Sequence, residues 1–174
     1  MTSPATPDLF SAIVPAPFGA IGVRAEGEHL RELVYLPPQF GAQDARCGVS
    51  QEAARQVERY LADPDFVFQL PLRPAGTAFQ QRVWAAISAI PRGKVLTYGQ
   101  VARLIASAPR AVGQACGANW FPLVIPCHRV TATGGLGGFS NHDDENGFHL
   151  SVKRWLLKHE GVSNTPWQQQ SIFS

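Results

Sequence analysis

Between Phe66 and His142 the chain has no aspartate or glutamate, while Arg73, Arg82, Arg92, Lys94, Arg103, Arg110 and Arg129 all fall inside that span. A long stretch of one sign is an electrostatic footprint for a polyanion, although a solvated basic face would look the same. Residues 1–75 carry six basic and nine acidic side chains, a net of −3, and residues 76–174 carry nine and four, a net of +5. Cysteine is scarce. Cys47, Cys116 and Cys127 are odd in number and make no C-x-x-C pair, which argues against a disulfide framework and against a thiolate zinc site. No apolar run approaches the roughly 18 residues that a bilayer span needs. Met1 to Phe10 lacks the basic-then-apolar order of a signal peptide, so a cytoplasmic or nucleoid-associated protein is expected. No internal repeat is visible. The glycines at 134, 135, 137 and 138 do not form a G-x-G-x-x-G turn opening a helix after a strand, which removes a dinucleotide reading.

What is present suits one ordinary domain or two small ones: 174 residues, 45% of them hydrophobic, enough for a real core. Residues 1–17 read as a loose arm with a short extended piece at Ala12-Ile13-Val14. Ala20–Ala25 and Leu30–Leu36 read as a β-hairpin turned at Gly27 and ended by Pro37-Pro38. Ser50 is placed to cap a helix to about Ala62, burying Ala53, Val57, Tyr60 and Leu61. Phe66, Phe68, Leu70 and Leu72 alternate as a half-buried strand would. Arg73 to Thr77 is then the boundary between a β-rich α/β unit over 1–75 and a second unit over 76–174.

The second half reads as mostly helical. Thr77 starts a helix to about Ile90 with Phe79, Val83, Trp84, Ile87 and Ile90 inward, and Pro91-Arg92-Gly93-Lys94 ends it. Thr97-Tyr98-Gly99-Gln100 is a capping box. It predicts a helix to about Ser107 that buries Val101, Leu104 and Ile105. Ala108-Pro109 starts another, to about Gly117. Two short helices joined tightly within a basic segment read as a helix-turn-helix, as would any helical hairpin. The second is small-faced, with Ala111, Gly113, Ala115, Gly117 and Ala118. That suits either a narrow groove or tight packing against another helix. Leu150 to Glu160 is the last helix, with Val152, Trp155 and Leu156 inward and Gly161 as its C-cap.

Phe121 to Val130 presses Cys127 directly against His128 behind Pro126. A thiol reacts as thiolate, and an adjacent imidazole can take its proton. A buried structural cysteine beside a surface histidine fits the same dipeptide.

The string Ile125-Pro126-Cys127-His128-Arg129-Val130 resembles the active-site signature of the O6-alkylguanine-DNA alkyltransferases, the methylated-DNA–protein-cysteine methyltransferases. Phe79-Gln80-x-x-Val83-Trp84, Pro91-x-Gly93, Thr97 to Ala102, Arg110 to Gly113, Asn119 and Trp155 to Gly161 resemble the same family in the same order, so the likeness runs from about Phe79 to Gly161.

The resemblance implies an α+β protein. A small ribonuclease H-like support domain over 1–75 precedes a winged-helix-like DNA-binding and alkyl-transfer domain over 76–174. It implies single-turnover transfer of an alkyl group from O6-alkylguanine, and from O4-alkylthymine, in DNA to Cys127. His128 would be the base, through a water because neighbouring side chains on an extended segment point apart. Glu160 would orient it, the alternative being a solvated charge at a helix end. Arg110 would fill the stack left by an extruded base, and Tyr98 would crowd its phosphate and hydrogen-bond the base. Ala111 and Gly113 would lie in the minor groove, and Asn119 would brace the turn holding Cys127. Val130, Phe139 and Ser140 would contact the base, and Lys153 matches a family lysine near the pocket loop. The partner is double-stranded DNA with alkylated bases; no membrane, no cofactor and no metal is expected, and the chain should be a monomer. Some relatives carry an N-terminal zinc, but residues 1–78 hold only Cys47 and His29. The loop from Ser140 to Lys153 is longer than in compact relatives and carries Asp143, Asp144 and Glu145, and Arg154 stands where some relatives have Glu. A non-enzymatic lesion binder and a cysteine hydrolase are the competing readings, and Cys127 disfavours the first.

Overall fold

The computed structural model describes residues 9–140, 142–144 and 146–162. It is a mixed α+β chain that divides into two compact units, Met1–Ala75 and Gly76–Ser174. In the first unit β1 (Ala12–Ala16), β2 (Gly19–Glu26) and β3 (His29–Leu36) form an antiparallel meander in that order. Gly27 makes the β2–β3 turn at φ 60°, where a side chain would be strained. Helix α1 (Gly48–Ala62) covers one face through Ala53, Val57 and Tyr60. Phe10, Ala20 and Leu36 form an apolar cluster with Ile13, Val34 and Phe40 packed against it.

Two expectations fail in this unit. Cys47, not Ser50, is the N-cap of α1; Ser50 sits one turn inside and is fully buried. Its Oγ accepts from the Cys47 N–H at 3.0 Å, so it serves the same helix end from the third position. The strand over Phe66–Leu72 does not form. The side chains do alternate between half-buried and exposed. However, the Gln56 amide takes both backbone groups of Gln69, and among the described residues the segment's ladder contact is the isolated Leu30–Leu72 bridge. Pro71 has no N–H to add.

The second unit opens with α2 (Ala78–Ser88), capped by Thr77 through a reciprocal box with Gln80. Val83, Trp84 and Ile87 are its buried stripe; the helix stops two residues short of Ile90, which is also buried. β4 (Leu96–Thr97) leads into α3 (Tyr98–Leu104), whose box pairs Thr97 with Gln100. α3 ends three residues earlier than expected. Ser107 N–H bonds the Ala102 carbonyl at 2.8 Å and Ala106 takes φ 54°, a Schellman stop with alanine where glycine is usual. Pro109 disfavours helical backbone at Ala108, so the chain must turn there. As a result Leu104 is 68% exposed and Ala102 is buried in its place.

Helix α4 (Pro109–Gly117) has proline at its first position and packs on both α2 and α3; Trp84 Nε1 donates to the Ala115 carbonyl at 2.9 Å. A short 3₁₀ helix (Cys127–Arg129) runs into β5 (Val130–Thr131), which pairs in parallel with β4. Helix α5 (Phe148–His159) closes the unit. It buries Leu150, Val152, Lys153, Leu156 and Leu157, whereas Trp155 is half-buried and stacks on His159. Gly161 at φ 77° lets Val162 N–H reach the Leu157 carbonyl, a second Schellman stop. Among the described residues no helix is long and apolar enough to cross a membrane, and no cluster of three or more metal-binding side chains occurs. Asn141, Glu145 and the tail after Val162 lie outside the described residues.

Candidate active site

Local backbone chemistry places Cys127. Pro126 has φ −82° and ψ 67°, and the Cys127 N–H bonds the Ile125 carbonyl at 2.8 Å, which is an inverse γ-turn. The 3₁₀ turn follows at once, with Arg129 N–H on the Pro126 carbonyl. Cys127 and His128 therefore sit on a tight turn rather than an extended segment. A three-per-turn helix spreads successive side chains by about 120°, so they still point apart. Asn119 holds this turn from outside. Its Nδ2 donates to the Ile125 carbonyl at 2.9 Å and to Cys127 Sγ at 3.3 Å, and its Oδ1 accepts from Phe121 N–H.

His128 and Glu160 meet in the interior, 1% and 0% exposed on their side chains. The His128 Nε2–H donates to Glu160 Oε2 at 2.7 Å. That assignment leaves Nδ1 with a free lone pair; it is buried with no hydrogen-bond partner among the described residues. Glu160 is the C-cap residue of α5, where a carboxylate opposes the helix dipole. Arg129 offsets that cost. Its Nε and Nη2 donate to the two carboxylate oxygens at 2.8 and 3.1 Å, and its Nη1 donates to the Ile90 carbonyl. Arg92 in turn grips the Glu160 carbonyl at 3.0 Å. Burial pushes His128 below the ordinary imidazole value despite the carboxylate, so the ring is neutral at neutral pH.

The Cys127 thiol lies well above its ordinary value, because the Cys116 thiol hydrogen-bonds it and because it is buried; Asn119 and Lys153 pull the other way. The resting group is a thiol beside a neutral base that can take its proton. Lys153 is 0% exposed, and its three protons go to the carbonyls of Val130, Leu136 and Gly138 at 2.8, 2.7 and 3.0 Å. Burial pushes it down to about 8.

A cavity of about 520 Å³ opens over Cys127. Tyr98 of α3 and Arg110, Gly113, Cys116 and Gly117 of α4 form one wall. Gly138, Phe139, Ser140, His142 and Asp143 line the other side. The Tyr98 hydroxyl donates to the Gly138 carbonyl at 3.1 Å, and burial pushes that phenol up, so it remains protonated. Ser140 takes φ 52°, and its carbonyl accepts from His142 Nδ1 at 2.7 Å; the His142 ring stacks on His149 at 3.7 Å. Arg110 is exposed in the first turn of α4. Ala111 is half-buried and Val130 is buried with its carbonyl on Lys153, and neither lines the cavity. A Cβ at Gly113 would meet only the Tyr98 ring, at 3.9 Å, so packing does not demand glycine there.

Sequence reasoning missed Cys116 and the Arg129 clamp. Cys116 was legible from helical spacing: it lies one turn beyond Gly113, which is itself one turn beyond Arg110. Arg129 carried no signal, because its partner is 31 residues away.

The chain matches the family model for the DNA-binding domain of 6-O-methylguanine DNA methyltransferase over residues 78–162. It is 35% identical to the methylated-DNA–protein-cysteine methyltransferase of Methanosarcina acetivorans over 161 residues, 88% of this chain and 99% of that protein. It is 38% identical to the protein of that name from Archaeoglobus fulgidus, over 78% of this chain and 88% of the relative. Among solved structures it resembles the Mycobacterium tuberculosis O6-methylguanine methyltransferase at 33% identity and TM-score 0.71, covering 86% of this chain and 90% of that one. It resembles the same organism's protein in complex with DNA equally, at TM-score 0.71, 33% identity and 86% and 91% coverage.

Proposed function

The chain belongs to the methylated-DNA–protein-cysteine methyltransferase family, and from that membership we propose that it repairs DNA by moving an alkyl group from O6-alkylguanine to its own Cys127, once per molecule. The observation that carries the reading is Cys127 at the floor of a cavity, beside a buried His128–Glu160 pair whose outer nitrogen is free.

The geometry supports a definite division of labour. Glu160 fixes the His128 tautomer with Nδ1 as acceptor. Through a water, Nδ1 takes the Cys127 proton as Sγ attacks the alkyl carbon. The carbon–O6 bond breaks, its electrons pass to the base, and the proton that Nδ1 received is passed to the base, which becomes guanine. The buried cation of Lys153 favours the sulfur anion as it develops. Tyr98, still protonated, turns its hydrogen bond from Gly138 toward the incoming base. A thioether cannot be displaced by water, so the protein is spent. O4-alkylthymine presents a similar ether and is a second substrate.

Binding follows from the second unit. Its helix-turn-helix, α3 and α4, lies along the minor groove of duplex DNA, where Ala111 and Gly113 permit close backbone approach. A cation in the first turn of α4 opposes the helix dipole, so Arg110 does not serve the helix. It fills the stack vacated by the extruded base, whose unpairing costs a few kcal/mol. Asn119 keeps the Cys127 turn in register, while Val130, Phe139 and Ser140 shape the base pocket. The first unit, ribonuclease H-like, is a support, and the protein acts as a cytoplasmic, nucleoid-associated monomer.

Intact mass tests this. Incubation with a duplex holding one O6-methylguanine should add one methyl group per protein, on the peptide containing Cys127. Repeated turnover with no modification would point to a hydrolase, and binding without transfer to a lesion-flagging protein; either would end the proposal.

A further inference from the structure

Cys116 has no part in the transfer chemistry, yet it faces the same cavity as Cys127. It projects from α4 one turn beyond Gly113, and of the groups around Cys127 it is the one that raises that thiol most. Both are free thiols in this structure. Cys47, the third, caps α1 in the other unit and does not line the cavity. The same site holds a base and a cation. His128 is a neutral base, and the buried Lys153 cation interacts with both cysteines. Asn119 Nδ2 donates to Cys127 Sγ at 3.3 Å. A disulfide needs Cβ atoms about 3.8 Å apart, and the shared cavity is where both side chains open.

We propose that Cys116 is a resolving thiol for Cys127, so that hydrogen peroxide closes a reversible Cys116–Cys127 disulfide inside the alkyl-acceptor pocket. The Cys127 sulfur attacks one peroxide oxygen, the O–O bond breaks, and the departing hydroxide takes the thiol proton to leave as water. Cys127 is then a sulfenic acid. The Cys116 sulfur attacks it, the S–O bond breaks, and the second hydroxide takes the Cys116 proton. Two thiols are oxidised and one peroxide is reduced to two waters. The neighbouring thiol intercepts the sulfenic acid before further peroxide carries it to the irreversible sulfinic state. The oxidised protein has no acceptor sulfur and a bridged cavity, and a dithiol restores both.

The test uses the full-length protein, treated with a few equivalents of hydrogen peroxide and then read by intact mass and by peptide mapping without reductant. Loss of about 2 Da and a Cys116–Cys127 cross-linked peptide are expected, with transfer to methylated duplex abolished and then recovered by dithiothreitol. Cys116→Ser and Cys116→Ala, each normalised to its own untreated transfer and checked by thermal melting, should instead gain about 32 Da on Cys127 and stay inactive after dithiothreitol. A wild-type gain of oxygen without the cross-link, a cross-link to Cys47, or equal recovery of the Cys116 variants would overturn the assignment. The mass arm needs no alkyl transfer, so its failure is distinct from a failure of the proposed repair activity.

Discussion

Replacing Glu160 with glutamine keeps the side-chain volume and removes its charge. Glu160 accepts hydrogen bonds from His128 Nε2 and from two nitrogens of Arg129, and none of its carboxylate is exposed. Glutamine offers one acceptor oxygen and one NH2 donor. If the oxygen serves Arg129, the amide faces the His128 N–H donor and the ring must flip; if it serves His128, a cation faces the amide. Leaving one member of a buried ion pair unmatched costs about 3–5 kcal/mol, a large share of the 5–15 kcal/mol typical of a domain. The second consequence is chemical. A flipped or protonated ring no longer presents Nδ1 as a base, and losing a positioned general base slows a reaction by about 10²–10⁴. Single-turnover transfer from methylated duplex, with urea unfolding on the same samples, measures both. A Glu160→Gln protein that is folded under assay conditions and transfers within threefold of wild type would refute the orienting role. One that loses stability by less than about 1 kcal/mol would refute the burial argument.

Arg110→Ala should slow reaction with duplex by tenfold or more at saturating DNA and react near normally with the free base O6-benzylguanine, which needs no extrusion; full rescue by more duplex would retire the stack-filling role. The pH profile of transfer should keep its activity below the ordinary imidazole value of about 6.5, because His128 is pushed down and remains a neutral base there; an acid midpoint at or above that value would contradict the buried neutral ring. The same shift has a stability sign: an unfolded His128 binds a proton from about pH 6.5 downward and the folded one does not, so stability falls as pH drops from there toward the lowered value. Gly137→Ala should cost more than Gly134→Ala in thermal unfolding. Both glycines have positive φ, but only at Gly137 would a Cβ press on Tyr98 Cε2, at 2.8 Å; equal losses would mean that the cavity wall yields freely.

Much of the local structure was legible in the sequence because it is decided within a few residues. Thr77 with Gln80 and Thr97 with Gln100 close their capping boxes as written, and Pro109 starts α4. Gly27 makes its turn and Gly161 ends its helix. Where the pattern misled, one cause was a group from another element and the other a local helix stop. Gln56 took the backbone of Gln69, so the alternating Phe66–Leu72 segment formed no ladder. Ser107 closed a Schellman stop and left Leu104 in solvent.

The chemistry divides in the same way. That a cysteine would sit against a histidine behind a proline, within a long basic stretch free of acid, is a property of the string, because adjacency and composition need no fold. The state of those groups is not. His128 is a neutral base because folding removes it from water, despite Glu160, which arrives from 32 residues away to hold one nitrogen and leave the other free. Cys127 rests as a thiol because α4 brings Cys116 against it, and Lys153 becomes a buried cation because three carbonyls converge on it from the strand and loop after the active-site turn. Desolvation and partners set these properties, and both exist only once the tertiary structure has closed around the residues.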